Sequence, residues 1–248
     1  MDTTAVLLTG AFFIAAILYS SVGHAGASAY LAAMGLLGVA PATMRPTALA
    51  LNILVASIVT VRFHLAGQVA WRSVLPFVLG SVPLAFIGGG LTLAAGVYKP
   101  LAGLVLLVAA ARLGWTAARA AATEEPSPQV PFVPAIGVGA VIGFLSGLVG
   151  TGGGIFLTPL LLFAHWSGAR AAAGISSAFI LANSISGLLG NVAAVAALPP
   201  DLPIWLLAVA AGGLIGAEAG ARRLGTAGLR RALAVVLVVA GLKLILIG

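Results

Sequence analysis

A glycine-rich loop, Gly-Thr-Gly-Gly-Gly, occupies residues 150–154, and long apolar runs flank it on both sides. Glycine is a poor residue for continuing a helix because it loses the most backbone freedom on ordering. The loop therefore predicts a helix break. Its amides, together with the positive end of a helix beginning near Gly153, suit an anion. A tight crossing of two helices at small residues is the alternative.

An earlier stretch of small residues, 20–28, reads SSVGHAGAS and places His24 in alignment with Thr151 of the loop. An ionisable side chain at membrane depth is costly and is by default a functional candidate. Histidine can donate a hydrogen bond to an anion or carry a coupling proton near neutral pH. A neutral histidine that bridges two helices is the other interpretation of the same residue.

Hydroxyl and amide side chains near the two breaks are further candidates for a polar pathway, although most serines in membrane helices bond their own backbone. Ser176, Ser177 and Asn183 cluster at helical spacing and are kept for that reason. Arg45 and Arg170 each follow a short apolar segment, and they are either vestibule residues that attract anions or determinants of topology. The predicted substrate-binding residues are Ser21, Gly23, His24, Gly26, Ser28, Gly150, Thr151, Gly152, Gly153, Gly154, Ser176, Ser177 and Asn183.

Composition identifies the elements that must position these residues. The chain has 248 residues, of which 61% are hydrophobic and 7% charged, with a mean hydropathy of +1.19. Such values are typical of an integral membrane protein and exclude a soluble globular domain. The 12 basic residues include no run interleaved with aromatics, so nucleic-acid binding is not expected. With no cysteine and no metal-ligand cluster, we predict neither a metal nor a cofactor.

Cutting the apolar runs at charges, prolines and glycine clusters predicts an all-α polytopic fold. No basic region typical of a signal peptide precedes the first run, which is therefore kept as a span. The two short segments, 27–40 and 153–166, each directly follow a small-residue break. The eight long segments are residues 5–22, 46–61, 73–90, 98–115, 132–149, 171–190, 203–220 and 229–247.

The two halves of the chain match each other. Gly23 and Gly26 recur as Gly150 and Gly153 at an offset of 127. We predict a first repeat at residues 1–116, a polar linker at 117–131 and a second repeat at 132–248. If the short segments cross the membrane, the second repeat is inverted and nine of the 12 basic residues share one face; if they only dip in, the division is seven against five. The positive-inside rule therefore favours inverted repeats, a cytoplasmic linker and both termini outside.

An enzyme is not expected. Residues 143–147 loosely resemble the serine motif of intramembrane proteases, but the spacing is wrong and no late helix supplies a histidine base. The loop at 150–154 also lacks the Lys-Ser/Thr that follows a phosphate-binding loop.

The repeat architecture and the stretch GLVGTGGGIFLTPLLL at residues 147–162 resemble the TauE/SafE family of membrane transporters. A weaker echo at 19–31 and the ladder of Gly212, Gly216 and Gly220 extend the resemblance over essentially the whole chain. The first repeat departs from a full glycine cluster, because His24-Ala25-Gly26-Ala27 stands there. The resemblance implies secondary transport of small anions, typically sulfite or organosulfonates such as sulfoacetate, usually out of bacterial cells.

We therefore predict a gradient-driven exporter in the bacterial inner membrane that binds a small anion between His24 and Thr151 at the membrane midplane. His24 is the candidate for proton coupling, and alternating access moves one repeat against the other. An anion channel is the nearest alternative, and a non-transporting scaffold or an intramembrane enzyme is the second. The expected partners are the anionic substrate and the lipid bilayer, with a homodimer as a possible assembly.

Overall fold

The computed structural model describes residues 3–118 and 130–222, together with the single positions 234, 237, 238, 242, 245 and 246. All regular secondary structure in this part of the chain is helical, and a short 3-10 helix, Val192–Ala197, lies between α8 and α9. The α-helices are α1 Thr3–Ser20, α2 Ala27–Leu36, α3 Pro41–Leu65, α4 Trp71–Gly90, α5 Ala95–Ala118, α6 Phe132–Val149, α7 Gly154–Phe163, α8 Ala169–Gly190 and α9 Leu202–Arg222.

Both predicted breaks are present. We call residues 21–26, between α1 and α2, the first break, and residues 150–153, between α6 and α7, the second break. The helices that follow are shorter than predicted, since α2 and α7 have 10 residues each and rise only about 15 Å. Left-handed backbone ends both segments early, at Gly38 (φ 74°) in the first half and at His165 (φ 54°) in the second.

The prediction of eight long spans requires correction. Among the described residues, six helices are long and apolar enough to cross a membrane: α1, α3, α4, α6, α8 and α9. Helix α5 qualifies only as a shorter apolar helix over Gly96–Ala111. The predicted segment 229–247 and residues 119–129 of the predicted linker lie outside the continuous described ranges. Helix α5 itself extends to Ala118, two residues into the predicted linker.

Helix α4 packs against α6 with their backbones in direct contact. Gly139 of α6 faces the carbonyl of Phe77, and Gly147, two turns later, faces the carbonyl of Ala85. A side chain at either glycine would collide with the backbone of α4, as in the small-residue crossings of membrane helices. Because the residue numbers rise together, α4 and α6 run in the same direction.

Helix α8 also runs parallel to α4. The hydroxyl of Ser186 donates to the carbonyl oxygen of Val82, and Gly190, one turn later, faces the carbonyl of Phe86. We call α4, α6 and α8 the second bundle. Helices α6 and α8 are therefore parallel to each other although only the short α7 lies between them, which means that α7 returns the chain.

A matching contact joins α1 to α9. Gly212 of α9 faces the carbonyl of Phe13, and Gly220 faces the carbonyl of Ser21. These two helices are also parallel and also held together by backbone contact at glycines. The first helix of the chain thus packs against α9 of the second half.

Helix α3 runs parallel to α9. Val55 lies beside Gly213, and the guanidinium of Arg62 lies 3.3 Å from the carboxylate of Glu218. We call α1, α3 and α9 the first bundle.

The two bundles meet where α3 packs against α8. Asn52 bonds Ser184, whereas Leu49 lies beside Gly187, so the numbers run in opposite senses and the two helices are antiparallel. The bundles therefore have opposite helix directions, and the α3–α8 contact is the seam between them.

The distribution of polarity is the reverse of that in a soluble protein. Large apolar side chains such as Leu79, Val141 and Leu207 lie on the outside, while serine, threonine and asparagine side chains are buried within. Such a surface suits lipid. The polar groups that remain available for chemistry are therefore inside the protein, and many of them lie at the seam.

Candidate functional site

The second break interrupts the backbone hydrogen bonding between α6 and α7. Gly150, Gly152 and Gly153 all have positive φ, between 75° and 87°, a conformation that side chains other than glycine rarely adopt. The N–H of Gly150 still donates to the Ser146 carbonyl at 2.7 Å. For the amides of residues 151–155, no acceptor is found in the described part of the chain. These donors face the start of α7, where the helix dipole favours negative charge.

Asn52 of α3 borders this break from the first bundle. Its Nδ2 donates to Ser184 Oγ at 3.3 Å and approaches the Thr151 carbonyl oxygen at 3.5 Å. The Oδ1 of Asn52 and the Oγ1 of Thr151 are buried and have no partner within the described residues. Two polar atoms thus remain available beside the open amides.

Asn183 of α8 borders the break from the second bundle. The side chain is fully buried, and neither its Oδ1 nor its Nδ2 has a hydrogen-bond partner among the described residues. Its Nδ2 lies 3.4 Å from the position that a Cβ on Gly153 would occupy, so the amide reaches the break. A buried polar group without a partner costs about 1–3 kcal/mol, and water or a ligand is the usual explanation for one that persists.

Arg45 caps the helix that ends at the second break. Its Nη1 donates to the carbonyl oxygens of Leu91, at 2.8 Å, and Leu148, at 3.3 Å. Nearby, the hydroxyl of Tyr98 donates to Val149 O at 3.2 Å. Only 7% of Arg45 is exposed, so its side chain is buried.

The first break is filled by the protein's own side chains. The N–H of His24 bonds the Tyr19 carbonyl at 2.9 Å, and the Tyr19 hydroxyl bonds Ser28 Oγ at 2.7 Å. The Tyr30 hydroxyl donates to the Ala25 carbonyl at 2.6 Å, and its ring lies against Gly26. The first break therefore has left-handed glycines like the second, but among the described residues its tyrosine and histidine side chains are hydrogen-bonded, and the unpartnered Ser20 Oγ lies just before it, at the end of α1.

His24 joins the first break to α7. Its Nδ1 lies 3.0 Å from Val22 O, and its Nε2 lies 3.1 Å from both Gly154 O and Thr158 Oγ1. Thr158 Oγ1 is in turn 2.6 Å from Ser176 Oγ. A hydrogen-bonded chain thus runs from the first break through α7 to α8, and it connects the two halves of the molecule.

The remaining predicted residues lie outside the second break. Ser21 bonds the Leu18 carbonyl and Ser177 bonds the Gly174 carbonyl, each within one helical turn. Gly23 packs against α8 at Ala173, and Arg170 is exposed at the start of α8. Of the predicted set, the structure gathers Gly150, Thr151, Gly152, Gly153 and Asn183 at the second break.

Sequence reasoning did not select Asn52, Tyr98 or Thr158. Asn52 follows Arg45 by seven residues, which places both on one face of α3, and that spacing was an available signal. Thr158 gave no signal, because a threonine inside a membrane helix usually bonds its own backbone.

Comparison with known proteins settles the relationship. The family model described as "Sulfite exporter TauE/SafE" matches residues 8–244. The chain belongs to the TauE/SafE family. It is 47% identical over 246 residues, covering 99% of this chain and 100% of the relative, to the probable membrane transporter protein y4hK of Sinorhizobium fredii (strain NBRC 101917 / NGR234). No solved structure matches.

As a TauE/SafE protein with several apolar helices, the chain is a multi-pass membrane protein of a transporter family. In the described ranges, no group of three or more His, Cys, Asp or Glu side chains is placed to hold a metal ion. The candidate ligand-binding groups of the described residues are the amides, hydroxyls and side-chain amides at the second break.

Proposed function

We propose that the protein is a secondary transporter that binds a small anion, such as sulfite or an organosulfonate, at the second break. The observation that carries this proposal is the set of buried, unpartnered atoms on Asn52, Thr151 and Asn183 around a run of open amides. Amides and hydroxyls hold an anion through dipoles, and the N-terminus of α7 adds the positive end of a helix. The acidic residues of the described ranges are Asp201 and Glu218, and the carboxylate of Glu218 lies against Arg62 in the first bundle.

Helix directions support an inverted relationship between the repeats. Helices α1 and α3 of the first half belong to the first bundle, whereas their counterparts in the second half, α6 and α8, belong to the second bundle. Counterpart helices thus run in opposite senses, which is the relationship that many secondary transporters have. Because the chain returns through α7 between two parallel helices, we count α2 and α7 as crossings of the membrane.

Alternating access then needs two bodies that move against each other. The glycine contacts tie α1 to α9 and α4 to α6, and each pair takes one helix from each repeat. The packing therefore favours motion of the first bundle against the second, along the α3–α8 seam, over motion of one repeat against the other. Asn52 and Asn183 lie on opposite sides of that seam, so such motion would change the anion site.

His24 is our candidate for proton coupling. Both ring nitrogens lie near carbonyl oxygens, those of Val22 and Gly154, and only the protonated ring can donate to both. In the neutral ring with hydrogen on Nδ1, Nε2 is free to accept from Thr158. The surroundings thus offer partners for both protonation states, as a coupling residue requires.

Export across the bacterial inner membrane is the direction and location that we propose, and the family description supports it. An anion channel is the second candidate. It is favoured by the dipolar ligands of the site, since weak binding by amides and hydroxyls also suits rapid passage.

Proteoliposomes test the proposal and separate the two candidates. We expect purified protein to move sulfite against its concentration gradient when a pH gradient is imposed, because a carrier links the two fluxes. Sulfite would be assayed on both sides of the vesicle membrane, with protein-free vesicles as the control. Movement that stops at equal concentrations would identify a channel, and an absence of sulfite movement would contradict the proposal.

Cysteine labelling tests the inverted topology, and the chain is suited to it because it contains no cysteine. Leu37→Cys and Ala164→Cys place single thiols at exposed positions just after α2 and α7. We expect a membrane-impermeant maleimide to label the two positions from opposite sides of the membrane. Labelling of both from the same side would instead mean parallel repeats.

A further inference from the structure

We propose that the guanidinium of Arg45 is a fixed counter-charge for the anion in the second break and strengthens binding in proportion to the anion's negative charge. This inference rests on the proposed function, because it takes the second break as the anion site. It makes Arg45 a specificity-determining residue that acts through space.

Arg45 is a buried cation without an anionic partner. In the described residues its side chain bonds the carbonyl oxygens of Leu91 and Leu148, and no carboxylate lies within 4.0 Å. Those carbonyls lie at the C-terminal ends of α4 and α6, where helix dipoles offset part of a positive charge. Each dipole end carries about half a charge, but a helix dipole is neutral overall, so the region keeps the formal unit charge of the guanidinium. A bound anion would balance that charge.

The position of Arg45 brings this charge close to the open amides. A Cβ on Gly150 would lie 2.8 Å from Cγ of Arg45, so the side chain packs directly beneath the break. Asn52, which borders Thr151 and Gly152, stands seven residues further along the same face of α3, about 10 Å away at 1.5 Å per residue. At about 10 Å and an effective dielectric constant of about 20, a unit charge changes affinity about 15-fold.

The first break lacks this charge. Gly23, the counterpart of Gly150, packs against Ala173, an uncharged residue of α8. The two breaks therefore share left-handed glycines at matched positions, Gly23 with Gly150 and Gly26 with Gly153, but differ in electrostatics. That difference gives a physical reason why anion binding would concentrate at the second break.

Arg45→Gln tests the inference with two sulfur oxyanions of similar shape, sulfate as a dianion and methanesulfonate as a monoanion. Binding of each to purified full-length protein would be measured by calorimetry. Removing the charge is expected to weaken methanesulfonate binding about 15-fold and sulfate binding about 200-fold, since the Coulomb term doubles with the charge. The ratio of the two affinities is the readout, because loss of a helix cap alone would weaken both anions equally.

Two further variants separate charge from structure. Arg45→Lys keeps the charge and should keep the sulfate-to-methanesulfonate ratio near the wild-type value, even if it weakens the cap. Tyr98→Phe removes the neighbouring hydrogen bond to Val149 and leaves the charge, so it should also keep the ratio. If Arg45→Gln does not fold, Arg45→Lys still tests the inference. A sulfate-to-methanesulfonate affinity ratio that falls in Arg45→Lys would overturn it, and an unchanged ratio would support it.

The outcomes distinguish the inference from the proposed function. Equal weakening of both anions, or no weakening, by Arg45→Gln would overturn the role of Arg45 and leave the anion site in place. If neither the two probes nor sulfite bind the wild-type protein, the proposed function fails, and the inference fails with it.

Discussion

An alanine at Gly152 is expected to abolish anion binding, whereas an alanine at Gly67 is expected to leave it intact. Both glycines have left-handed backbone, with φ of 75° and 70°, so each substitution incurs a similar conformational cost of about 1–2 kcal/mol. They differ in what the new methyl group would meet. At Gly152 it would lie 2.5 Å from Asn52 Nδ2 and 3.0 Å from Ser184 Oγ, while at Gly67 nothing lies within 4 Å.

The measurement is sulfite binding by calorimetry, with thermal unfolding of each variant in the same detergent. Gly152→Ala should lose more stability than Gly67→Ala, because its methyl group must displace neighbouring side chains such as Asn52. Only Gly152→Ala should lose the ligand while the protein is still folded. Tight sulfite binding by a folded Gly152→Ala protein would show that the anion site lies elsewhere. Loss of binding in both variants would show that the effect is one of global stability.

Asn183→Leu is expected to weaken anion binding about 10- to 100-fold without lowering stability, because a hydrogen bond to a charged group contributes about 1.5–3 kcal/mol. In the ligand-free protein, the amide is buried with both polar atoms unpartnered among the described residues. Replacing it with an apolar side chain of similar size removes a desolvation cost, so the unfolding temperature should stay the same or rise. If Asn183 stabilised the fold instead, Asn183→Leu would lower the unfolding temperature and leave the anion affinity unchanged.

Ser57→Ala is the matched control for this substitution. Ser57 is another polar residue within a membrane helix, but its hydroxyl bonds the Ile53 carbonyl of its own helix at 2.7 Å. Its removal should change neither binding nor stability appreciably. If Asn183→Leu unfolds at a markedly lower temperature while retaining affinity, the amide is a structural residue and the proposed site loses its main support.

Much of the fold was predictable from sequence because membrane helices must be long and apolar. The predicted segment 132–149 matches α6 at both ends, and the glycine-rich loop correctly marked the break after Val149. The 3-10 helix Val192–Ala197 was missed, since a short apolar run after a helix has no period of its own. The short helices were overestimated because their ends are set by left-handed residues, which apolarity does not reveal.

The site was predictable only in part. The glycines of the loop and Thr151 could be selected from the sequence because they lie next to one another in the chain. The partners of the break come from distant parts of the chain, and Asn52 meets Ser184 across 132 residues. From sequence alone, a charged residue such as Arg45 indicates only the topology of the chain. The packing of α3 against the end of α6 shows which groups surround it.

The glycine contacts between α1 and α9 and between α4 and α6 also constrain how the protein is made. Helix α1 is the first of these to leave the ribosome, yet its backbone partner, Gly212–Gly220 of α9, is synthesised about 200 residues later. During that interval, the groove that α1 offers to α9 faces lipid or a temporary neighbour. The packing of α1 is thus completed only after α9 has been synthesised, and in the described residues each of these glycine contacts joins the first half of the chain to the second.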